Sequence, residues 1–304
     1  MKASRTLAVA LCAVALTATA ACGKDGTPGA TAADSAAASN APKAPAYAVK
    51  TDVKVDSPAL AEAKKRGQLI IGAKADQPFL GFEELGSGDR TGFDIEIAKM
   101  IAADLGFTPQ QIKWSTLVSS QREPAIAKGQ IDFYVGTYSI NDERKKTVSF
   151  AGPYYIAGQD LLVKADNTAI TGPDSIAGKN ICTATGSTSI KNIQKYNAKV
   201  TQFDTYSACV EKLLAGEVDA VTTDDAILKG YASKYKGQLK VVGKPFTEEK
   251  YGVGLNKDDK NLRDAINDSI KAHQDNGDWK KAYDATLGLS GSPAPSTMPT
   301  LERY

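Results

Sequence analysis

Short apolar runs alternate with helical patterns along most of the chain. Runs such as QLIIGAK, IDFYVGT, KNICTAT and EVDAVTT are rich in β-branched residues and are bounded by turn residues, which predicts buried strands. The stretch GFDIEIAKMIAADLG, from 92 to 106, repeats apolar residues at helical spacing and ends on a glycine that can terminate a helix. Strands separated by helices indicate sheets of the α/β class.

Two parts of this pattern occur twice. AKGQIDFYVGT, at 127 to 137, and LAGEVDAVTTD, at 214 to 224, each combine a helix end, a glycine, a strand and a polar tip, and GQLIIGAKA at 67 similarly matches GKNICTATG at 178. The repetition predicts two lobes of similar build, although common αβ patterns can also coincide by chance. Ligands of open α/β sheets bind beyond the carboxyl ends of the strands. Thr137 in one lobe and Asp224 in the other would therefore face a shared cleft.

The first 22 residues have the pattern of an export signal. Lys2 and Arg5 precede an apolar stretch, and small residues then lead to Cys22. This end resembles a bacterial lipobox, in which the cysteine becomes the lipidated first residue, although Thr19 stands where leucine is usual. We expect a signal peptide over residues 1–22 and a lipid anchor at Cys22, with ordinary secretion as the alternative.

The segment 23–51 is rich in Ala, Gly, Ser, Thr and Pro and has almost no large apolar side chains. Such a segment cannot bury enough surface to offset its ordering entropy, so we predict a flexible tether. No later stretch reaches the roughly 18 apolar residues that a transmembrane helix requires. The formal net charge of +2, without a long basic block, argues against nucleic acid as a partner.

Two of the four cysteines remain for the globular part, because Cys12 lies in the signal segment and Cys22 is the candidate lipid site. Exported proteins meet an oxidising compartment, so Cys182 and Cys209 could form a disulfide. Two buried free thiols are the alternative.

The stretch TYSINDER, after the strand IDFYV, carries the first candidate binding group: Thr137, Ser139 and Arg144. The planar guanidinium of an arginine binds a carboxylate through two parallel hydrogen bonds, and hydroxyls and backbone N–H groups can complete the shell. An α-carboxylate would fit this group. The alternative is a structural ion pair between Arg144 and an acid of the same DER sequence.

The second lobe offers an anion-binding loop and a carboxylate. Within TGSTS, from 185 to 189, Ser187 and Thr188 stand between a strand and a helix, which favours an anion, although such residues can be simple helix caps. Asp224 follows the strand VDAVTT and could accept a ligand ammonium. We expect Asp225 to cap the next helix.

Together these motifs resemble the extracellular solute-binding proteins of polar amino acid ABC transporters, family 3. GFDIEIAKMIAADL is similar to the family signature, and the resemblance continues through TYSINDERK, TGSTS and VDAVTTDD over nearly all of 55–287. It implies an α/β, two-lobed periplasmic-binding-protein-like fold (type II), in which each lobe is a mainly parallel sheet flanked by helices and the ligand lies in the interlobe cleft. The chain would cross between lobes near GPYYIAGQD and KPFTEEKYG. The implied division is 52–157 plus 248–288 for lobe one, 158–247 for lobe two and 289–304 for a C-terminal tail.

The resemblance also implies roles and partners. It implies a free amino acid as ligand, the permease of an ABC importer as partner, no cofactor and no metal, and we expect a monomer. The α-ammonium would bind Asp224. The α-carboxylate would bind Thr137, Ser139, Arg144, Ser187 and Thr188.

Two cations are available for the side chain of the ligand: Lys74, and Arg122 in SSQRE, a segment whose Ser119 we also expect to bind the ligand. Members of the family that bind glutamate or aspartate are similar at both places, and KADQPFLGF resembles the glutamate branch, in which Phe79 and Phe82 would wall the aliphatic part of the ligand. The Cys182–Cys209 pair also fits that branch. We expect an acidic amino acid, with glutamine or asparagine as the alternative, and either cation could instead be structural.

An enzyme on the same fold, such as a dehydratase or a peptidoglycan lyase, is a competing hypothesis, and a receptor sensor is another. Catalysis of that kind needs a positioned acid or base. The single histidine, His273, lies in a late helical stretch where we expect a surface position, and no metal-ligand cluster, nucleophile elbow, P-loop or dinucleotide fingerprint accompanies it. We therefore expect a binding protein that is not an enzyme.

Overall fold

The computed structural model describes residues 43–292 and 294–304, in which two five-stranded sheets flanked by helices form two lobes. The predicted signal peptide, Cys12, Cys22 and most of the predicted tether lie outside these residues. Within the described ranges, none of the helices combines the length and the hydropathy needed to cross a bilayer.

Lobe one is built on a sheet with the order β5-β1-β6-β13-β7. Its strands are β1 (Leu69–Ala73), β5 (Ile112–Thr116), β6 (Phe133–Tyr134), β7 (Val148–Ala157) and β13 (Glu249–Asn256), with a small sheet of β2 (Asp76–Gln77), β3 (Gly81–Glu83) and β4 (Arg90–Thr91). Its helices are α1 (Pro58–Arg66), α2 (Phe93–Asp104), α3 (Arg122–Ala127), α4 (Asp142–Lys145), α8 (Lys260–Asp275) and α9 (Asp278–Ala285).

Lobe two is built on a sheet with the order β10-β9-β11-β8-β12. Its strands are β8 (Gln159–Lys164), β9 (Asn180–Ala184), β10 (Lys199–Phe203), β11 (Ala220–Asp224) and β12 (Leu239–Val241), and its helices are α5 (Ser189–Gln194), α6 (Tyr206–Ala215) and α7 (Asp225–Lys234). The repeated sequence patterns fall on β6 and β11, and on β1 and β9. These strands hold corresponding places in the two sheets, so the predicted similarity of the lobes is confirmed.

One strand in each sheet runs against the other four. β13 pairs antiparallel with β6 and β7, and β8 pairs antiparallel with β11 and β12, whereas the remaining pairs are parallel. β8 is the first strand after the chain enters lobe two, and β13 is the first after it returns to lobe one. Because the parallel strands share one direction, their carboxyl ends meet at the edge of each sheet that faces the other lobe.

Helix α2 forms over the stretch with helical apolar spacing. The apolar positions Ile97, Ala98 and Ile101 are fully buried or nearly so, and the chain leaves the helix at Gly106, whose φ is 90°. This φ lies in the left-handed region that glycine adopts without steric cost. Asp94, in the first turn, is also completely buried, which the apolar pattern alone does not predict.

The two connections between the lobes pack against each other at Gly158, which lies between β7 and β8. A Cβ atom at this position would stand 2.7 Å from the carbonyl oxygen of Thr247 in the second connection. Asp225, the first residue of α7, binds the same point, because its N–H donates to Gly158 O (2.8 Å) and its Oδ1 accepts from Gly158 N (3.2 Å). The start of α7 is therefore tied to the hinge.

A disulfide joins Cys182 in β9 to Cys209 in α6, with 5.5 Å between their Cα atoms. The sequence allows either a disulfide or two free thiols, and the structure has the disulfide. It ties the sheet of lobe two to the helix behind it, and in the chain-entropy model a loop of 27 residues corresponds to ~3 kcal/mol of stabilisation.

Residues 43–51, the end of the predicted tether, lie against lobe one. Tyr47 donates a hydrogen bond to Glu96 Oε2 (2.9 Å), and the amide of Lys50 donates to Ala103 O (2.9 Å). These two contacts attach this end of the predicted tether to α2 of lobe one.

His273 is buried, and the expectation of a surface position is wrong. Its Nε2 lies 3.4 Å from Asp104 and its Nδ1 lies 3.1 Å from Asp278, while Tyr47 meets the ring edge-on at 5.5 Å. Burial lowers the pKa of His273, but the interactions with the Asp104 and Asp278 carboxylates outweigh burial and hold that pKa above its ordinary value. The ring thus joins α2, α8 and α9.

The last residues of the chain also pack on lobe one. The amide of Glu302 donates to Gly152 O (2.6 Å), and its carboxylate pairs with Lys145 (3.0 Å) and Lys250 (3.1 Å). At Glu302, the segment predicted as a C-terminal tail therefore packs against lobe one.

Candidate functional site

A small polar cavity lies where the strand tips of the two lobes meet. All but two of its lining residues were predicted from the sequence; the two that were missed are Tyr206 and Ile227. The lining consists of Ser119, Arg122, Thr137, Ser139 and Arg144 from lobe one and Ser187, Thr188, Tyr206, Asp224 and Ile227 from lobe two.

Lys74 reaches this site through another side chain. Its Nζ donates to Ser119 Oγ (2.8 Å), and the residue is 4% exposed. Burial, together with the positive charge of Arg122, lowers the pKa of Lys74 to about 7. A second cation therefore stands directly behind the cavity wall.

Phe79 and Phe82 are not brought to the cavity. Both line a separate groove at the outer junction of the lobes, beside Lys234. The backbone turns at Phe79, whose φ is 65°, and the fully buried Gln77 contacts Thr137 instead. The prediction that the two phenylalanines wall the ligand is therefore not supported.

Thr137 is fixed by buried polar groups that the sequence reasoning missed. Its N–H donates to Asp94 Oδ2 (3.0 Å), and its hydroxyl donates to Gln77 Oε1 (3.1 Å). Burial raises the pKa of Asp94 to about 6, although the hydrogen bonds from Tyr154 and from Thr137 N oppose that rise. An acid among apolar positions in the first turn of α2 was the available signal. These contacts hold Thr137 at φ 45°, in the left-handed region.

Arg144 lies on α4, which begins with the Asn141 side chain accepting a hydrogen bond from the Arg144 amide (2.9 Å). The guanidinium donates from Nη1 to Ser139 O (2.7 Å) and from Nη2 to Gly186 O (3.2 Å). Its ion pair is with Glu123 of α3 (3.2 Å), not with an acid of the DER sequence. Burial lowers the pKa of Arg144 to about 10, with a further contribution from the nearby cation Arg122.

Arg122 is the more buried of the two arginines, with 2% exposure. Within the described chain its hydrogen bonds go to backbone carbonyls: Nε to Ser119 (3.0 Å), Nη1 to Thr137 (3.4 Å) and Nη2 to Gly186 (3.2 Å). The ring of Tyr138 lies 4.3 Å from its guanidinium carbon. A buried cation with neutral partners leaves positive charge uncompensated at this end of the cavity.

The loop of lobe two approaches lobe one through Gly186. A Cβ atom there would lie 2.7 Å from Ser120 Cα, and the φ of 78° also favours glycine. Thr188, next in the lining, donates its hydroxyl to Glu249 Oε2 (3.0 Å). The loop thus presents its backbone and the Ser187 hydroxyl to the cavity from close range.

Asp224 is 4% exposed and faces the arginines from lobe two. Its Oδ2 accepts from the Tyr251 hydroxyl (2.7 Å), while its Oδ1 is buried and has no hydrogen-bond partner among the described residues. Burial, together with the charge of Glu249, raises the pKa of the Asp224 carboxyl to about 8.

Asp225 does not cap α7 with its side chain, contrary to expectation. Asp224 holds the N-cap position without a side-chain cap bond, and Asp225 binds Gly158 and pairs with Lys229 (2.6 Å). Asp224 therefore lines the cavity, and Asp225 binds the hinge.

Opposed arginine and aspartate side chains, brought together from two lobes, suit a small molecule that carries both a carboxylate and an ammonium. A two-lobed α/β fold with such a polar interlobe cavity defines a class of binding proteins for small zwitterions. Comparison with known proteins identifies the family within this class to which the chain belongs.

Residues 69–288 match the family described as bacterial extracellular solute-binding proteins, family 3, and the chain belongs to this family. It is similar to the glutamate-binding protein GluB of Corynebacterium efficiens, with 38% identity over 241 residues, 75% of this chain and 82% of the relative. It is also similar to the ABC transporter glutamine-binding protein GlnH of Bacillus subtilis, with 36% identity over 226 residues, 74% of this chain and 82% of the relative.

Among solved structures, an ancestral arginine-binding protein bound to glutamine has a TM-score of 0.69 and 34% identity, covering 73% of this chain and 99% of that structure. The chain is thus an extracytoplasmic solute-binding protein of the amino acid ABC type, and the family implies a free amino acid as ligand and an ABC permease as partner.

Proposed function

We propose that this protein captures an acidic amino acid, glutamate or aspartate, outside the cytoplasm and delivers it to the permease of an ABC importer, without catalysing a reaction. The observation that carries the acidic assignment is the environment of Arg122. This cation is buried at the cavity and bonded to neutral carbonyls, so an anionic ligand group would supply the charge that its surroundings lack.

The ammonium of the ligand binds Asp224 in this proposal. The buried Oδ1, which lacks a partner among the described residues, provides the acceptor. Thr137 was expected on the α-carboxylate, but its hydroxyl proton is donated to Gln77 Oε1, which leaves the oxygen as an acceptor. We therefore assign the Thr137 hydroxyl to the ammonium.

The α-carboxylate binds Arg144 together with Ser139, Ser187 and the Thr188 backbone. A guanidinium has five N–H donors. The contacts of Arg144 with Ser139, Gly186 and Glu123 use three nitrogens once each, so N–H groups remain for a carboxylate. The Thr188 hydroxyl donates to Glu249, which supports a role for the amide of Thr188 rather than its side chain.

The side-chain carboxylate of the ligand binds Arg122, with Ser119 and Lys74 behind it. An acidic amino acid carries a net charge of −1, which offsets the positive charge of this end of the cavity. Glutamine is the second candidate, because a glutamine-binding relative is 36% identical and the carbonyls around Arg122 could accept from an amide. A neutral amide would supply no counter-charge to Arg122, whose hydrogen-bond partners are neutral carbonyls, so we favour the acid.

We retain three further proposals from the sequence: a signal peptide over residues 1–22, a lipid anchor at Cys22 that holds the protein at the outer face of the cell membrane, and a monomeric state. Mass analysis of the protein extracted from membranes tests the anchor, because lipidation adds acyl mass to the peptide that begins at Cys22.

Isothermal titration with glutamate, aspartate, glutamine and asparagine tests the ligand. We expect tightest binding for an acidic ligand, and Arg122→Gln should weaken that binding by at least about 100-fold, as for loss of one partner of a buried charge pair. Arg303→Gln, which removes an exposed arginine paired with Asp268, is the matched control. Preference of the wild type for glutamine would overturn the acidic assignment, and absence of binding to any amino acid would overturn the proposed function.

A further inference from the structure

The two lobes also meet outside the cavity, where β2 and the turn after it contact α6 and α7. Within the described chain, the residues of this second contact are distinct from those that line the cavity: Asp76, Pro78, Ser207, Gly230 and Tyr231. The contact therefore joins the lobes without touching the ligand.

Hydrogen bonds across this contact converge on Asp76. The buried hydroxyl of Tyr231, on α7, donates to Asp76 O (2.6 Å) and lies 3.2 Å from Asp76 Oδ2. The amide of Ser207, in the first turn of α6, donates to the same Oδ2 (3.2 Å). First-turn amides lack acceptors within their own helix and favour a negative charge, so the carboxylate of lobe one completes the end of α6 in lobe two.

Gly230 provides the steric part of the contact. A Cβ atom at this position would lie 2.5 Å from the carbonyl oxygen of Pro78 in lobe one, closer than real Cβ atoms approach. Gly230 lies inside α7, where glycine is about 1 kcal/mol less favourable than alanine. Glycine is nevertheless required at this position because lobe one approaches the helix too closely for a side chain.

We propose that this contact, from Asp76 and Pro78 to Ser207, Gly230 and Tyr231, is a closing latch that sets the affinity of the protein for all its ligands without choosing among them. The inference rests on the proposed function, in that the ligand binds between the closed lobes. A ligand closes the lobes only by its differential affinity for the closed state, and its apparent Kd is its intrinsic Kd divided by the closed fraction. Contacts made only on closure raise that fraction equally for every ligand.

Two variants test the latch without changing charge. Tyr231→Phe removes the hydroxyl that bonds Asp76, and we expect it to raise the Kd of glutamate and of glutamine by the same factor, about 3- to 10-fold, through faster dissociation. Tyr235→Phe removes a tyrosine hydroxyl four residues further on and is the matched control. Asp76 itself is left intact, because its charge also acts on Lys74.

Gly230→Ala places a methyl group between the lobes and should weaken both ligands at least about tenfold, since the overlap with Pro78 must be relieved by separation. Alanine is the better helix former, so the thermal midpoint of the ligand-free variant should equal or exceed that of the wild type. If Gly230→Ala binds ligand more weakly but keeps its thermal midpoint, the added methyl group prevents closure of the lobes and does not impair folding.

The outcomes separate the latch from the proposed function. Unchanged affinities in both variants, or a changed ratio between glutamate and glutamine, would overturn the latch while wild-type binding upholds the function. If the wild type binds no amino acid, the function fails, and the latch, which rests on it, fails with it.

Discussion

Asp224→Asn should stabilise the ligand-free protein while weakening ligand binding. Burial, with the neighbouring charge of Glu249, raises the pKa of this carboxyl from 3.8 to about 8. At pH 7 the folded protein therefore keeps the group mostly protonated, whereas the unfolded chain ionises it. Folding at pH 7 must take up a proton, and this requirement lowers the free energy of unfolding.

The magnitude follows from the span between the ordinary pKa and pH 7. That span is about three units, and each unit corresponds to about 1.4 kcal/mol, so the penalty is about 4 kcal/mol. A carboxyl with a raised folded pKa imposes no penalty below its unfolded pKa, a growing penalty as pH rises towards its folded pKa, and a constant penalty above it. Asparagine does not ionise and can still accept from Tyr251, although its amide protons need acceptors. We expect a gain of about 2–4 kcal/mol at pH 7 and almost none near pH 4.

Urea denaturation of the ligand-free wild type and variant at pH 4, 6, 7 and 8 measures this difference, and calorimetry at pH 7 measures ligand affinity. Binding should fall by at least ~2 kcal/mol, because a neutral amide cannot replace the carboxylate that pairs with the ammonium. Asp204→Asn, an exposed acid of lobe two, is the control. A gain that does not grow with pH, or a variant less stable than the wild type at pH 7, would refute the electrostatic reasoning.

Two further predictions concern protons and the disulfide. Because the ammonium needs an ionised Asp224, binding at pH 7 should release a proton. Glutamate should release fewer protons than glutamine, since its second carboxylate raises the pKa of Lys74 from about 7 and causes uptake. Calorimetry in buffers of different ionisation enthalpy measures both, and equal release for the two ligands would contradict the role of Lys74. Replacing Cys182 and Cys209 together by alanine should lower the free energy of unfolding by ~3 kcal/mol with little change in affinity, because neither lines the cavity; an affinity lost in proportion to stability would contradict this.

The position of most cavity-lining residues could be predicted because it depends on local sequence. Arg144 follows a buried strand and lies on a helix that Asn141 caps, and the repeated strand pattern places Asp224 at the corresponding tip of the other lobe. Strand direction alone then brings the two tips together. The same locality explains why α2 was predicted from its apolar spacing.

The sequence by itself therefore determined the α/β class, the two related lobes and most of the residues that meet in the cavity, because each depends on periodicity and on position relative to a strand end. Only the tertiary structure decided that Phe79 turns away, that Gln77 and Asp94 fix Thr137, and that Tyr206 and Ile227 complete the wall. Those outcomes depend on backbone turns and on contacts between residues that are distant along the chain. No pattern within a single segment specifies which buried polar group will find which partner.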